Sequence, residues 1–238
     1  MLNLFITSSN HKSGQTFITK GIAATMQSLG YSTSVYKPVQ TGGIERNGFM
    51  QSPDLTEIKT IDPYIKTHFS YLFKSETEPL IAAEIENENI DLDIINSDFQ
   101  KLSSTSDCTV VETDGGILSP ITPEYKNINI LKRLNIPMII VTSPNADAIN
   151  STLLTIEAVQ NIGAEIRGVI INNIEEDCSK EMLGSIPRII EEYTNANVLG
   201  LIQHLKAGYK PEDLISAILN GLDIESIFNV RIEKLDMN

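Results

Sequence analysis

Short apolar runs alternate with amphipathic stretches along most of this chain. The runs have the length of strands, are rich in residues that favour strands, mostly Ile, Val and Leu but Ser, Thr, Val and Tyr in the second, and cover residues 2–6, 32–36, 107–112, 136–142, 166–172 and 198–202. The amphipathic stretches have helical spacing and cover residues 17–29, 94–102, 128–134, 150–159, 185–193 and 210–228. Residues 44–85 are polar and irregular apart from two short helix starts. This alternation predicts an α/β fold in which helices flank a mostly parallel sheet.

The same pattern predicts a single doubly wound domain over residues 1–228, because no linker or repeat interrupts it and 238 residues are enough for one sizeable core. Residues 229–238 are expected to form a flexible tail. Cys108 and Cys178 lie too far apart for a metal-ligand spacing and are expected to be reduced thiols.

The formal net charge is −13, which argues against nucleic acid and anionic membranes as partners. No stretch approaches the roughly 20 apolar residues of a membrane span. The N-terminus also lacks a basic region followed by an apolar signal segment, so a cytoplasmic location is expected.

Candidate chemistry begins at the turn after the first apolar run. Residues 8–16 are small and polar, include Gly14, and lead directly into the first amphipathic stretch. Strand, loop and helix in this order are the layout of a phosphate-binding loop (P-loop), whose backbone N–H groups and helix end face an anion. Thr16 stands where a hydroxyl binds Mg²⁺, but Gln15 holds the position of the expected lysine. An ordinary βα turn, capped by residues 8–10, is the alternative.

Charged residues also lie at the ends of two other predicted strands. Lys37 follows the second apolar run, and Glu112 ends the third. Open α/β sheets bind ligands at the carboxyl ends of their strands, where a carboxylate can reach Mg²⁺. By itself Lys37 is better explained as a solvated loop lysine, and Asp54 can be explained as a residue that caps a helix. Because the same chain contains a candidate phosphate loop, Lys37, Asp54 and Glu112 together point to a nucleotide and magnesium site.

Taken in order, these segments resemble dethiobiotin synthetase, a homodimeric family of P-loop ATPases. The resemblance covers residues 1–205. The family's Y-K-P-V-x-S/T-G appears almost whole at residues 36–42, and its I-N-H-x-L-L-T appears at residues 149–155. Weaker matches fall at residues 8–16 (the P-loop), 52–54 (the S-D metal segment), 78–83 (the S-P-H-x-A-A turn) and 112–116 (the E-G-A-G-G loop), and at Asn172 (the adenine-side asparagine).

The resemblance implies an ATP- and Mg²⁺-dependent ligase that closes the ureido ring of dethiobiotin. The ring would come from 7,8-diaminononanoate and CO₂, through a carbamate and a carbamic-phosphoric anhydride. It also implies a homodimer in which Asn150 holds the substrate's carboxylate across the interface. The implied metal ligands are Thr16, Asp54 and Glu112. The implied nucleotide-binding residues are Ser13, Gly14, Gln15, Thr16, Phe17 and Asn172. The implied substrate-binding residues are Lys37, Thr41, Gly115, Leu118 and Asn150, and Lys37, Thr16 and Lys12 are the catalytic candidates.

This chain departs from the family pattern at the site itself. Gln15 cannot neutralise phosphate charge, and Lys12 is the candidate replacement cation. Leu80 replaces the expected histidine, and Asp114 adds a carboxylate where the family has a small apolar residue. These departures favour weakened activity, and they leave open an impaired paralogue that binds nucleotide or a biotin precursor without efficient turnover. A related P-loop amidotransferase or partitioning ATPase is disfavoured by the segments around Lys37 and Asn150.

Overall fold

A computed structural model describes residues 1–10 and 12–232 of the chain. The strands are β1 Leu2–Ser8, β2 Thr33–Gln40, β3 Ile44–Arg46, β4 Phe49–Gln51, β5 Lys66–Leu72, β6 Cys108–Gly116, β7 Met138–Thr142, β8 Ile166–Ile174 and β9 Val198–Gln203. The helices are α1 Gln15–Ser28, α2 Pro53–Ile61, α3 Pro79–Glu86, α4 Leu92–Ser104, α5 Asn127–Leu134, α6 Ala148–Gln160, α7 Lys180–Tyr193, α8 Pro211–Gly221 and α9 Ile224–Phe228.

Seven strands form one sheet in the order β5-β2-β6-β1-β7-β8-β9, and each neighbouring pair is parallel. The chain moves outward from β1 to one side first and reaches the other side only after β6. The carboxyl end of β1 therefore lies at the point where the strand order reverses, which is where open α/β sheets bind ligands. The predicted doubly wound α/β fold is confirmed.

The core has two layers because alternate residues of each strand point to opposite faces of the sheet. Phe5, Val111 and Ile140 belong to one buried cluster, and their neighbours Ile6 and Val110 belong to the other. Helices α4 to α7 cover the first face, and α1, α2, α8 and α9 cover the second. Within the described residues, no helix has the length and hydropathy that crossing a bilayer would require.

Strand β2 continues four residues further than the sequence pattern predicts, so Lys37 lies inside it and not in the loop after it. Pro38 interrupts no ladder bond, because pairing with β6 ends at Tyr36 and pairing with β5 uses Lys37 and Val39. Beyond Tyr36 the two strands β2 and β6 separate. Lys37 and Glu112 directly follow the last paired residues of the two strands, Tyr36 and Val111.

The prediction of an irregular region over residues 44–85 is wrong in two places. Strands β3 and β4 form an antiparallel hairpin, whose turn residues Asn47 and Gly48 both have positive φ. Asn-Gly is the preferred turn of such hairpins and was the signal for it. Residues 66–72 form the edge strand β5, whose polar composition hid its alternation.

Two predictions at the C-terminal end also need correction. The single helix expected over residues 210–228 is two helices, because Asp223 caps a new helix start by accepting a hydrogen bond from the Ser226 N–H group. The tail expected to be flexible begins too early. Ile232 is fully buried, and its N–H group donates to Glu225 Oε1, so residues 229–232 belong to the packed domain. Residues 233–238 of the predicted tail lie outside the described residues.

Candidate functional site

The turn between β1 and α1 leaves the start of a 14-residue helix open. Gly14 occupies the N-cap position with φ 78°, and no side chain caps the helix. The first N–H groups of α1 therefore lack intrahelical partners and add to the positive end of the helix dipole. A β-carbon at position 14 would lie 2.2 Å from Asn172 Nδ2, so only glycine fits both the backbone angle and the space. The turn has the properties of an anion-binding loop.

The side chain of Gln15, which stands in the lysine position, forms hydrogen bonds to the backbone of the protein. Its side-chain amide donates to the carbonyl oxygens of Ile6 at 3.1 Å and Thr113 at 2.8 Å, which joins the ends of β1 and β6 beneath the loop. An amide has only two N–H donors, and both are used. The side chain of Gln15 therefore has no donor left for a phosphate.

Four polar side chains from four different elements meet beside the loop. The Thr16 hydroxyl donates to Glu112 Oε1 at 2.7 Å, and the Lys37 ammonium lies 3.3 Å from the same oxygen. Lys37 also donates to the carboxylate of Asp54 at the start of α2. Lys37 and Glu112 are each only 2% exposed. The second oxygen of Glu112, Oε2, is buried and has no hydrogen-bond partner among the described residues.

These groups line a cavity of about 480 Å³ at the carboxyl edge of the sheet. Lys12 lines it from the loop, with φ 62° in the left-handed region. The structure thus places nine of the residues predicted for the site around one space: Lys12, Ser13, Gly14, Gln15, Thr16, Lys37, Asp54, Glu112 and Gly115. The cavity combines an uncapped helix start, two lysines and several carboxylates, which suits a polyanion accompanied by a cation.

Thr41 lies in a second cavity, of about 690 Å³, which shares Asp54, Glu78, Asp114 and Gly115 with the first. Asp114 Oδ2 accepts hydrogen bonds from both the N–H group and the hydroxyl of Thr41, each at 2.7 Å. The sequence analysis placed Glu78 at a helix start and in the weak match at residues 78–83, but assigned it no role in the site. It caps nothing with its side chain and lines both cavities.

Four predicted site residues do not line either cavity. Phe17 packs edge-on against Tyr209, with ring centroids 5.8 Å apart. Asn172 is 3% exposed and donates to the Ser13 carbonyl oxygen at 2.9 Å, so its amide supports the P-loop from below. Leu118 and Asn150 lie exposed on the surface.

Asn127 is a supporting residue that the sequence analysis missed. It is buried, and its amide donates to the carbonyl oxygens of Asp114 at 2.7 Å and Gly116 at 3.0 Å. Nothing in the local sequence marks it, because the contact depends on how α5 packs against the carboxyl end of β6.

Comparison with known proteins gives matches over nearly the whole chain. A family model described as an AAA domain matches residues 2–211. The ATP-dependent dethiobiotin synthetase BioD of Anoxybacillus flavithermus is 32% identical over 207 residues, which cover 86% of this chain and 93% of that protein. The protein of the same name from Bacillus subtilis subsp. natto is 28% identical over 232 residues, which cover 96% of this chain and 98% of that protein.

Solved structures with the same fold include cell-division ATPases. The cell division ATPase MinD of Pyrococcus furiosus superposes with a TM-score of 0.62 at 13% identity, covering 99% of both chains. A chain of the MinC:MinD cell division protein complex of Aquifex aeolicus superposes with a TM-score of 0.61 at 15% identity, covering 95% of this chain and 94% of that one. At such low identity these likenesses establish the P-loop ATPase fold alone.

Proposed function

This chain belongs to the dethiobiotin synthetase family of P-loop ATPases, and from that membership we propose that it closes the ureido ring of dethiobiotin from 7,8-diaminononanoate, CO₂ and ATP. A substrate amine captures CO₂ as a carbamate, and ATP phosphorylates the carbamate. The second amine then attacks the mixed anhydride, forms the second carbon–nitrogen bond and releases phosphate. The observation that carries the proposal is the meeting of Thr16, Lys37, Asp54 and Glu112 at one cavity beside the P-loop.

The polar groups at the cavity fit Mg²⁺ with a nucleotide. Within residues 1–10 and 12–232, no group of three or more His, Cys, Asp and Glu side chains could hold a metal ion. A Mg²⁺ site next to bound phosphates needs fewer protein ligands, because Mg²⁺ is bound there through one or two carboxylates together with phosphate oxygens and water. The unpartnered, buried Glu112 Oε2 is the kind of oxygen that a cation would satisfy. Thr16, Asp54 and Glu112 would hold Mg²⁺, which would supply charge neutralisation of the phosphates.

Lys37 positions the two reacting groups. Its ammonium is buried between Asp54 and Glu112 and lines the P-loop cavity, next to Asp54, which also lines the second cavity. From there it pairs with the carbamate and with the γ-phosphate, and it holds them in line for phosphoryl transfer. Thr41 and Gly115, which line the second cavity, contact the diamine.

The missing P-loop lysine leaves a deficit of positive charge at the phosphates. Losing one preorganised donor to a transition state costs on the order of 3–4 kcal/mol, or about a hundredfold or more in rate. Gln15 cannot offset this loss, because both of its donors bond carbonyl oxygens. Lys12 lines the same cavity and supplies the replacement cation, with a weakened activity as the result.

A second candidate function is a paralogue that binds nucleotide or a biotin precursor without efficient turnover. Two observations favour it. Gln15 has no donor free, and Lys37 is engaged with two carboxylates. Under this alternative the site binds ATP but the γ-phosphoryl group is not transferred.

A homodimer completes the substrate site in this proposal. Leu118 is 50% exposed, and Asn150 is exposed in the first turn of α6. A residue that completes a partner's site must be accessible in the monomer, and a helix start suits a carboxylate. Leu118 and Asn150 would thus contact the substrate bound by the other subunit. Phe17 and Asn172 act on the nucleotide side by packing and by holding the P-loop.

One assay tests the proposal. Purified protein receives 7,8-diaminononanoate, bicarbonate, Mg²⁺ and ATP, and phosphate release is measured with and without the diamine. The proposal predicts diamine-dependent release that falls about a hundredfold or more in Lys37→Met, whereas Lys132→Met, at an exposed lysine, retains it. ATP binding without diamine-dependent release would favour the paralogue. Release that is independent of the diamine would overturn both.

A further inference from the structure

The second cavity has an unusual electrostatic character for a site next to the proposed phosphate site. Its ionisable lining residues are all acidic among the described residues, and they are Asp54, Glu76, Glu78 and Asp114. The first cavity, by contrast, contains Lys12 and Lys37. Asp114 belongs to both cavities and therefore lies at their junction.

The carboxylate of Asp114 is held in one orientation. Its Oδ2 atom accepts two hydrogen bonds from Thr41, one from the N–H group and one from the hydroxyl, each at 2.7 Å. The backbone carbonyl oxygen of Asp114 accepts a further hydrogen bond, from the buried Asn127 amide at 2.7 Å. These bonds tie the carboxyl end of β6 to Thr41, the residue after β2, and to α5. The orientation of both side chains at the junction is set before any ligand binds.

This arrangement fixes the hydrogen-bonding polarity of Thr41. A threonine hydroxyl has one proton to donate and two lone pairs to accept with. In Thr41 the proton is donated to Asp114, so the hydroxyl oxygen is left only as an acceptor. Oδ1 of Asp114 has no hydrogen-bond partner in the described part of the chain, and a carboxylate is also an acceptor only.

We propose that Asp114 and Thr41 form an acceptor pair that recognises a free amine of the substrate at the junction of the two cavities. The inference rests on the proposed function and deepens it, because it assigns an orientation to the diamine. An amine or ammonium donates N–H groups to Asp114 Oδ1 and Thr41 Oγ1. A carbamate presents oxygens and is rejected there by the two acceptors, so it lies on the Lys37 side of the junction. Asp114 is thus a specificity-determining residue that this chain has in place of a small apolar one.

The test compares the affinities of 7,8-diaminononanoate and nonanoate, which lacks the amines, for the full chain by isothermal titration calorimetry without ATP. Wild type should prefer the diamine. The preference should fall about tenfold or more in Asp114→Ala and Thr41→Val, because charge-assisted and neutral acceptors are lost. Glu88→Gln, which removes one negative charge from an exposed position, is the matched control and should keep the preference.

Asp114→Asn distinguishes recognition from mere support of the loop. The asparagine oxygen can still accept both bonds from Thr41, so a supporting role predicts affinity near that of wild type. Recognition predicts the opposite, because the amide would then present N–H donors to the ligand's donors. A loss of diamine affinity of about fivefold or more in a variant with an unchanged melting temperature supports the proposal. A smaller loss overturns it.

The two proposals fail in different ways. Asp114-dependent binding of the diamine without any phosphate release contradicts the ligase function and supports amine recognition. Diamine-dependent phosphate release with the same diamine KM in Asp114→Asn as in wild type overturns the recognition proposal and leaves the ligase standing. A wild-type protein that binds the diamine no better than nonanoate contradicts the recognition proposal directly.

Discussion

At position 15, an amide replaces the cation that a P-loop normally directs at phosphate. The Gln15 side chain joins the ends of β1 and β6 through two carbonyl oxygens, so its role in this chain is to hold the loop in place. The positive charge at the cavity comes instead from Lys12 and Lys37. Substitutions at positions 12 and 15 test which residue supplies positive charge to the phosphates and which one supports the loop.

Gln15→Lys is expected to raise diamine-dependent phosphate release about tenfold or more, because a preorganised ammonium stabilises charge that develops in the transition state. Lys12→Ala should lower release in wild type and have little effect in the Gln15→Lys background, since one cation then replaces the other. Gln15→Met is the matched variant without hydrogen-bond donors and should lower the free energy of unfolding in urea by about 1–3 kcal/mol. Additive effects of the Lys12 and Gln15 substitutions on release would contradict the shared role.

The sequence identified individual charged residues better than it identified their contacts. Lys37, Asp54 and Glu112 were predicted for one site and are brought together by the structure. The bonds between Asp114 and Thr41 join residues 73 positions apart and depend on the separation of β2 from β6. No local pattern encodes such a contact, although the unusual carboxylate at position 114 marked the place.

At the scale of elements, the loop between β1 and α1 depends on a strand that is distant in sequence. Asn172 near the end of β8 donates to the Ser13 carbonyl oxygen at 2.9 Å, and its amide nitrogen fills the space where a β-carbon of residue 14 would lie. The P-loop therefore has a support that residues 8–16 do not reveal.

Gly14→Ala should destabilise the protein and abolish nucleotide binding, because the new methyl group meets Asn172 and the backbone has φ 78°. Asn172→Ala removes the clash but not the backbone strain, so the double variant should recover part of the lost unfolding free energy. The measurement is a double-mutant cycle by urea unfolding, and Gly163→Ala is the control, with φ 70° and no neighbour within 4 Å. Strict additivity of the Gly14 and Asn172 effects would contradict a contact between them.

The break between α8 and α9 gives a prediction about pH. The hydrogen bonds from the Ser226 hydroxyl and N–H group hold the pKa of Asp223 below its ordinary value of 3.8. A carboxyl group with a lowered pKa stabilises the fold above its unfolded pKa, and this stabilisation is lost as the pH falls through the folded value. Asp223→Ala should cost about 1 kcal/mol at pH 7, and the difference from wild type should shrink below pH 3.8.

Asp223→Asn provides the control for this pH dependence, because asparagine caps a helix but does not titrate in this range. Its stability in urea at pH 7 should be close to that of wild type. A difference between wild type and Asp223→Ala that is the same at pH 7 and at pH 3 would contradict the capping role of the charged form.

The elements with strong hydrophobic periodicity were the ones that the sequence predicted well. Strands β7 and β8 each have a run of buried aliphatic residues and lie in the middle of one half of the sheet, and their positions were confirmed. The edge strand β5 is half polar because one of its sides lacks a neighbouring strand, so its sequence resembled a loop. The break before α9 was missed because the apolar spacing continues across Asp223.

At the scale of the whole molecule, the order of the strands creates the site. Pairing β1 with β6 on one side and β7 on the other brings the P-loop, the end of β2 and the end of β6 to one edge of the sheet. In a protein with a net charge of −13, this edge combines a buried lysine and an uncapped helix start with several carboxylates, which suits a polyanion that binds together with a cation.

The most direct test of this account is the Mg²⁺ dependence of ATP affinity, measured by isothermal titration calorimetry with Mg²⁺ and with EDTA. Glu112→Gln keeps an oxygen for Thr16 but removes the charge, and Glu84→Gln is the matched control at an exposed position. We predict that Mg²⁺ strengthens ATP binding about tenfold or more in wild type and in Glu84→Gln, but not in Glu112→Gln. An equal effect of Mg²⁺ on all three proteins would contradict a shared triphosphate and magnesium site.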